Sequence, residues 1–330
     1  MTRPPRTGPR VVALGGGHGL AATLRALRRV TDDITAIVGV SDDGGSSGRL
    51  RRELGVIPPG DLRMALAALC GDDAWGRTWS RVVQHRFGGA GELAGHALGN
   101  LIISALWEET SDIVTGLDWV GSLLGAHGRV LPLALEPLDI VAEVSGMHPI
   151  DPQQRMRVRG QVAVATTPGQ VERITLEPAD VASTPQALAA LQEADAIVLG
   201  PGSWYTSVIP HLLLPDMRQA IADAAAMRLV VLNLGTQSGE TEHFHPHTHL
   251  DVLHEQAPEL RLDVVLADTG FVSDRDALER SARRLGARLE LTNLAEAEGV
   301  ARHHPDLFAA ALRPILPPRG GPHGRMRPWP

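Results

Sequence analysis

The chain has 330 residues, 43% of them hydrophobic and 21% charged, an ordinary globular composition that allows one large domain or two. Its formal net charge of -7 gives no overall basic field, which argues against nucleic acid as a partner. A single cysteine, Cys70, excludes a disulfide within the chain and is explained as a small buried residue. No segment approaches the roughly 20 apolar residues of a membrane span, so we expect a cytoplasmic protein.

Both ends of the sequence are rich in Pro, Gly and Arg. Such segments cannot bury much apolar surface, so we predict flexible tails at residues 1–9 and 315–330. Between them we predict a single domain, residues 10–314, with no internal repeat.

Apolar runs of two kinds alternate along this domain. RVVALGG and ITAIVGV are separated by LAATLRALRRV, whose leucines recur at helical spacing, and this pattern indicates one βαβ unit. ADAIVLG, RLVVLNL and LDVVLAD repeat the same strand type further along. Continuous Val, Ile and Leu strands are typical of a mostly parallel sheet that helices cover on both faces, so we predict an α/β fold. Residues 129–178 instead show turn signals and alternation, and we interpret a region at about 110–190 as a partly β insertion with antiparallel strands.

The segments that follow the strands carry the chemistry, because open α/β sheets bind ligands beyond the carboxyl ends of their strands. GGGHGL follows the first strand and offers close backbone approach to an anion at a helix start. Framed on Gly17, Gly19 and Ala22, it also fits the dinucleotide pattern GxGxxA, with Asp42 or Asp43 as a ribose acceptor. An NAD-binding oxidoreductase therefore stays open as one alternative.

The second strand ends at DDGGSSGRLRR, where two aspartates, glycines, serines and arginines follow one another. Asp42 and Asp43 could accept ribose hydroxyls or hold a divalent metal such as magnesium, while the arginines suit phosphate oxygens. The alternative is a solvated turn with capping residues. The next segment, IPPGDLR, places Asp61 and Arg63 at another helix start, and two such starts in succession favour a shared pocket.

Three later loops extend the pattern: GHALGN, GPGSWYTS and NLGTQSGETEHF. Together they supply glycines, hydroxyls, amides and an aromatic face at the predicted sheet edge. Beyond them, HFHPHTHL has histidines at every second position, which in an extended conformation would share one face and could bind a metal. A solvent-facing loop explains the same histidines more simply.

Taken together, VVALGGGHGL, DDGGSSGRLR, IPPGDLR, GHALGN, VRGQVAVATTPG, ADAIVLGPGSWYTSVIPHLL and TQSGET resemble the YvcK family, also called the gluconeogenesis-factor family, of the CofD-like superfamily. The resemblance covers about residues 10–314. It implies a Rossmann-like three-layer sandwich and a cytoplasmic protein that binds UDP-N-acetylglucosamine. It also implies a role in cell shape and peptidoglycan synthesis on gluconeogenic carbon sources. The more distant CofD branch transfers a 2-phospholactyl group to a deazaflavin with magnesium.

Matching the motifs residue by residue gives a set of candidate ligand-binding residues, with no catalytic residue among them. They are Gly16, Gly17, His18, Gly19, Asp42, Asp43, Gly44, Gly45, Ser46, Ser47, Arg49, Asn100, Gly200, Gly202, Ser203, Tyr205, Thr206, Asn233, Gln237, Glu240, Thr241 and Arg302. The sequence departs from the family at His18, Met64, Ser238 and His304, where Thr, Asn, Pro and Asp are usual. Met64 in particular weakens the transfer of CofD chemistry to this chain.

The leading hypothesis is therefore a non-catalytic nucleotide-sugar sensor that signals to a cell-wall synthesis protein, with no required cofactor. A magnesium-dependent 2-phospho-L-lactate transferase of CofD type is the first alternative, with Asp42 or Asp43 as metal ligand. The NAD-binding oxidoreductase is the second, because it leaves SSGRLR without a role. We also expect a homo-oligomer and no nucleic-acid partner.

Overall fold

A parallel sheet of seven strands lies at the centre of the computed structural model, which describes residues 7–151, 153–237, 240–242, 244–297 and 299–320. The strands are β1 (Arg10–Gly15), β2 (Asp33–Val38), β3 (Arg129–Pro132), β4 (Asp139–Ser145), β5 (Met156–Arg159), β6 (Gln170–Glu177), β7 (Ala196–Leu199), β8 (Met227–Val231), β9 (Val264–Asp268) and β10 (Arg288–Thr292). The seven-stranded sheet has the order β10-β9-β8-β7-β1-β2-β3. Its central strands are buried Val, Ile, Leu and Ala runs, as expected of a sheet covered on both faces.

Helices connect and cover these strands. They are α1 (Gly17–Leu27), α2 (Gly45–Leu54), α3 (Gly60–Leu69), α4 (Ala74–Gln84), α5 (Leu98–Thr110), α6 (Ile113–Leu124), α7 (Gln161–Ala165), α8 (Pro185–Glu193), α9 (Pro210–Leu213), α10 (Pro215–Asp223), α11 (Pro246–Gln256), α12 (Arg275–Arg284) and α13 (Pro305–Leu312), with a π-helical turn at Trp204–Val208 and a 3-10 turn at Thr269–Phe271. Among the residues described, no helix is both long and apolar enough to cross a membrane.

The direction of winding reverses in the middle of the sheet. From β1 the chain moves outward through β2 to β3, and it then returns to β7 on the other side of β1 and moves outward again to β10. Because parallel crossovers are right-handed, these two directions put α1 and α10 on opposite faces of the sheet. The predicted α/β three-layer fold is confirmed, and its topological switch point lies between β1 and β7.

The inserted β region is narrower than the sequence suggested. A small antiparallel sheet, in the order β5-β4-β6, covers residues 139–177. The expected insertion also included Arg129–Pro132, but this strand pairs in parallel with β2 and belongs to the main sheet. Its short Val-Leu core is similar to strands of both sheets. Only the strand with which it pairs therefore decides whether it belongs to the main sheet or to the insertion.

Parts of both predicted tails are bound to the domain. The Thr7 hydroxyl donates to Asp32 at 2.7 Å, and Arg319 donates to Asp33 at 2.8 Å, so residues 7–9 and 315–320 pack near the amino ends of the central strands. Residues 1–6 and 321–330, the rest of the predicted tails, lie outside the described residues.

Candidate ligand-binding site

Two glycine loops meet at the switch point of the sheet. Gly19, in the first turn of α1, packs so closely on the loop after β7 that a Cβ atom there would lie 2.1 Å from the Pro201 carbonyl oxygen. Across the same contact, Asn233 holds Gly202 by two hydrogen bonds, accepting from its N–H at 2.8 Å and donating to its C=O at 2.9 Å. The loops after β1, β7 and β8 therefore form one connected rim at the crevice where doubly wound sheets bind ligands.

The loop after β2 joins this crevice to the inserted region. One carboxylate oxygen of Asp42 accepts from Gly44 N–H at 3.0 Å, which shapes the turn into α2. Asp43 instead accepts from Val162 N–H at 2.9 Å, at the start of α7. Its other oxygen lies so close to Gly160 that a Cβ there would approach it to 2.2 Å. Asp43 thus anchors the insertion to the sheet edge, a contact that occupies a carboxylate predicted to face a ligand.

Ser46 is the centre of a buried hydrogen-bond network. Its hydroxyl oxygen accepts from Asn100 Nδ2 at 2.9 Å and lies 3.0 Å from His96 Nδ1. Burial, together with the charge of Arg49, lowers the pKa of His96 and favours the neutral ring. Ser46 therefore fixes α2 to α5, and its contact with a phosphate stays a prediction.

Asp61 and Arg63 lie near the start of α3, where Asp61 contacts the first glycine loop and Arg63 packs against Gly99 of α5. A Cβ at Gly16 would lie 2.6 Å from Asp61 Oδ2, so only glycine allows this approach. Burial and the charge of Asp42 raise the pKa of Asp61 to about 7, and the nearby Gly17 N–H and Arg63 oppose this rise. Asp61 therefore changes charge near neutral pH, at the position where a helix N-terminus attracts anions.

Arg63 is a buried cation whose hydrogen-bonding capacity is incompletely used. Only 4% of the residue is exposed, and its Nε has no hydrogen-bond partner within the described residues. Burial and the charge of Arg86 lower its pKa to about 10, which leaves it charged at neutral pH. Asn100 Oδ1 and Ser104 Oγ, on neighbouring α5, also lack partners in the described part of the chain. Buried polar atoms normally find partners, so this group is suited to an added anion or polar ligand.

The loop after β7 is arranged differently, because the protein itself satisfies its helix start. Glu240 Oε1 accepts from Tyr205 N–H at 2.6 Å and from Thr206 N–H at 2.9 Å. Glu240 is only 7% exposed, and burial raises its pKa while these two N–H groups oppose the rise. Tyr205 and Thr206 are buried as well. Two predicted ligand-binding residues, Tyr205 and Thr206, thus donate to a third, Glu240, across 35 and 34 positions of sequence.

A cavity of about 710 Å³ opens between the insertion and the loop after β8. One wall is the turn after α7 with Thr166, Thr167 and Gln170, and the other includes Glu240 and Phe244. Its volume lies within the roughly 300–1,000 Å³ typical of small-molecule sites. Hydroxyl and amide groups around one aromatic ring suit a sugar or a nucleoside.

Arg302 lies on the same sheet edge, farther from the switch point. Its side chain is 73% exposed and pairs with Glu296 at 2.5 Å. The loop that carries it contacts the loop after β8, since a Cβ at Gly235 would lie 3.6 Å from Ala301 Cβ. Arg302 therefore belongs to the same rim and is accessible to a ligand, but its guanidinium already has an acidic partner.

The described part of the histidine-rich segment is not an extended strand, which is the conformation in which histidines at every second position would share one face. Pro246–Gln256 is helical, so His247 and His249 point in different directions. His249 is buried against Trp204 and Phe244, at ring distances of 5.1 and 5.2 Å, and burial lowers its pKa to about 4. His243 lies outside the described residues. Within the described residues no group of three or more His, Cys, Asp or Glu side chains is placed to hold a metal.

The remaining predicted residues have mixed surroundings. His18 is exposed in the first turn of α1, and Gly45 is exposed at the start of α2. Arg49 donates to the Ala94 carbonyl at 2.9 Å, and Thr241 Oγ1 accepts from Gln237 N–H at 3.0 Å. The structure brings the following predicted residues to the switch-point rim or its neighbouring loops: Gly16, Gly17, Gly19, Asp42, Gly44, Ser47, Gly200, Gly202, Ser203, Asn233 and Gln237.

Three residues outside the predicted set prove important in the structure, namely Asp61, Arg63 and His96. The sequence carries a signal for the first two, since IPPGDLR places an acid and a base at a helix start. His96 had no such signal, because its role depends on Ser46, which lies 50 positions away.

Comparison with known proteins places this architecture in a family. Residues 11–304 match the family described as 2-phospho-L-lactate transferase CofD. A Mycobacterium leprae protein named "Putative gluconeogenesis factor" is 50% identical over 311 residues, which cover 93% of this chain and 86% of that protein. The "Gluconeogenesis factor" of Listeria innocua is 35% identical over 325 residues, covering 94% of this chain and 97% of that protein.

A solved structure supports the same assignment. The crystal structure of a UPF0052 family member from Bacillus halodurans superimposes with a TM-score of 0.80 at 32% identity, covering 92% of this chain and 98% of that one. The match thus extends over sequence, fold and nearly the whole length of the described domain. The chain belongs to the CofD family and, within it, to the gluconeogenesis factors.

Proposed function

We propose that this protein binds UDP-N-acetylglucosamine, or a closely related nucleotide sugar, at the switch point and acts as a regulatory protein. The observation that carries the proposal is Arg63, a buried cation with an unpartnered Nε that packs against Gly99 of α5 and is close enough to Asp42 and Asp61 to feel their charges. A charged hydrogen bond from such a group to a phosphate oxygen contributes about 1.5–3 kcal/mol. A diphosphate would satisfy both the guanidinium and the helix N-termini around it.

The neighbouring cavity supports the choice of a nucleotide sugar over a simple phosphate. Its volume of about 710 Å³ and its lining of Thr166, Thr167, Gln170 and Phe244 suit a ring with several hydroxyl groups. In this proposal the diphosphate lies against the glycine loops, and the sugar or nucleoside extends towards the insertion. Asp43, which ties α7 to the loop after β2, would couple ligand binding to the position of the insertion.

The regulatory part of the proposal rests on the relatives, whose names refer to gluconeogenesis. We propose that the occupied form acts on a cell-wall synthesis protein and so supports peptidoglycan synthesis and cell shape on gluconeogenic carbon sources. The insertion is a suitable contact region, because it projects from the sheet edge and carries exposed residues such as Met156 and Val162.

Calorimetric titration tests the ligand directly. The purified protein is titrated with UDP-N-acetylglucosamine, UDP-glucose and NAD, each with and without magnesium. We expect saturable binding of UDP-N-acetylglucosamine and no binding of NAD. Heat from NAD alone would favour an oxidoreductase, and no heat from either UDP-sugar would remove the proposal.

A second candidate is a transferase of CofD type, which the family match over residues 11–304 favours. Asp42 and Asp61 are close enough for the charge of one to raise the pKa of the other, so together they suit a hard divalent cation. Magnesium held there would supply charge neutralisation on a transferring phosphate group. Asp43, the other predicted metal ligand, bonds instead to Val162 N–H.

Magnesium dependence separates the two candidates. A transferase would release a nucleotide from its phosphate-bearing donor only with magnesium, and Asp42→Asn would abolish the release. A sensor would bind the nucleotide sugar and leave it intact during long incubation, which nuclear magnetic resonance of phosphorus would detect. Turnover that requires both magnesium and Asp42 would replace the sensor proposal with the transferase.

A further inference from the structure

A second concave site lies near the end of α1 that is remote from the glycine loop. It is a groove of about 390 Å³ between the C-terminal ends of α1 and α3 and the helix α4. Arg25 lines it from the last turn of α1, Arg28 and Arg29 from the residues that follow α1, and Arg77 and Arg81 from α4, with Asp72 as one lining carboxylate. We name this set the arginine groove. Because α1 has 11 residues, the groove is about 16 Å along the helix from the candidate ligand site.

The charge of the arginine groove is opposite to that of the whole chain. Five arginines surround a small volume in a protein whose formal net charge is -7. Partial burial and the charges of Arg28 and Arg29 lower the pKa of Arg25, so the cations are close enough to affect each other. Like charges at helical spacing destabilise a helix in the absence of a counter-charge.

The protein provides only part of that counter-charge. Arg29 pairs with Asp306 at 2.6 Å, and Arg28 pairs with Asp72 at 3.3 Å. Arg25 and Arg81 have no ion pair within residues 7–151, 153–237, 240–242, 244–297 and 299–320. The Arg28 side chain is 10% exposed, and its Nε is buried with no hydrogen-bond partner in the same ranges.

Helix dipoles explain part of this arrangement. Arg25 and Arg81 each lie in the last turn of their own helix, where a cation is favourable. That effect acts on each helix separately, and it does not account for two helices directing arginines into one groove. Nor does it account for the buried Nε of Arg28, which a polar ligand would satisfy.

We propose that the arginine groove binds a small phosphate-bearing anion of about the size of a diphosphate, at a site separate from the switch point. Each planar guanidinium group can donate two parallel hydrogen bonds to the oxygens of a phosphate. Several guanidinium groups around one concave surface therefore suit a multiply charged anion. The groove volume falls at the lower end of small-molecule sites. A compact free anion fits it better than a complete nucleotide sugar.

Inorganic pyrophosphate is the probe. The full chain is titrated calorimetrically at low ionic strength, and the titration is repeated with the double variant Arg25→Gln/Arg81→Gln. We expect pyrophosphate to bind the groove of the double variant at least about tenfold more weakly, which corresponds to about 1.4 kcal/mol, while any binding that depends on Arg63 is unchanged. The matched control, Arg275→Gln/Arg280→Gln on α12, removes the same charge from exposed positions and should bind within about twofold of the unmodified protein.

Further variants and a membrane arm identify the site and the source of the phosphate. Arg63→Met at the switch point should retain pyrophosphate binding at the groove, and circular dichroism should show that all variants are folded. Binding that is lost in Arg63→Met and kept in the groove variant would overturn the proposal, as would no pyrophosphate binding at all. The protein should not co-sediment with vesicles of phosphatidylcholine and phosphatidylglycerol. Sedimentation that depends on Arg25 and Arg81 without pyrophosphate binding would replace the small anion by a lipid surface.

Discussion

The regions on the two sides of the switch point differ in whether the protein itself supplies partners for their buried hydrogen-bonding groups. The loop after β7 leads into a helical turn whose N–H groups are bonded by Glu240, and its Gly202 is held by Asn233. On the other side, where α2, α3 and α5 meet near the loop after β2, Arg63 Nε and Asn100 Oδ1 are buried with no partner within the described residues. Glycine-rich segments of similar sequence are thus bonded by the protein itself on one side and lie near unsatisfied buried polar atoms on the other.

Two acidic residues that contact these loops show the same difference. Glu240 is fixed by two N–H groups that favour its charged form, although burial raises its pKa. Asp61 lies beside a second carboxylate, and its pKa is raised to about 7. The first contributes to folding, and the second is poised to respond to a proton, a cation or an anionic ligand.

The sharpest test of this comparison is Arg63→Met. Removing the cation should weaken binding of UDP-N-acetylglucosamine by about 100-fold, or about 2.7 kcal/mol, because a buried charged hydrogen bond is lost. The unfolding free energy should stay within about 1 kcal/mol or rise, since an apolar side chain replaces an incompletely satisfied buried cation. Calorimetry and urea denaturation measure the two quantities. Arg280→Met, on the exposed face of α12, is the control, and equal affinity in both variants would show that Arg63 does not face the ligand.

Glu240→Ala addresses the other side of the comparison. It leaves the Tyr205 and Thr206 N–H groups buried and unbonded, so we expect a loss of about 2–3 kcal/mol in unfolding free energy by urea denaturation. Glu109→Ala, at an exposed helical position, should change it by less than about 0.5 kcal/mol. If Glu240→Ala and Glu109→Ala have the same unfolding free energy, Glu240 does not stabilise the loop after β7.

Arg302→Ala examines how far the rim extends from the switch point. We expect ligand binding to weaken by about tenfold, or about 1.4 kcal/mol, if the exposed guanidinium contacts the diphosphate. Stability should change little, because an exposed ion pair contributes about 0–1 kcal/mol. Glu296→Gln frees Arg302 from its partner and should leave binding equal or stronger. Unchanged affinity in Arg302→Ala would restrict the site to the loops nearer β1.

The smallest expected effect is the pH dependence that Asp61 gives to folding. In the folded protein its pKa is raised to about 7, whereas the unfolded chain has an ordinary carboxyl near 3.8. Its contribution is therefore fully present below about pH 4 and is lost as the pH rises to about 7. Asp61→Asn should remove this slope, so its stability relative to the unmodified protein should rise by at least about 1 kcal/mol between these pH values. Parallel pH profiles of the two proteins would contradict the assigned environment of Asp61.

Much of the fold followed from local patterns in the sequence. The βαβ start and the parallel strands were both predicted, because burial on one face or two imposes a hydrophobic period that a single segment carries. The extent of the insertion was less predictable, since Arg129–Pro132 has the same apolar character in either sheet and only its pairing with β2 assigns it. Neither alternative for the histidine-rich segment, an extended row or a loop, describes Pro246–Gln256, because this stretch is a helix and its histidines follow the helical period.

The sequence by itself determined which polar residues gather at the carboxyl edge of the sheet, because that edge is fixed by strand direction. Only the tertiary structure decided which of them remain free to bind a ligand. Ser46, Asp43 and Glu240 look like ligand contacts in sequence, yet their partners lie 50, 119 and 34 positions away. Arg63 differs because no such partner reaches its buried Nε within the described residues. Hydrogen-bond satisfaction depends on contacts between distant loops, and a local sequence pattern does not encode it.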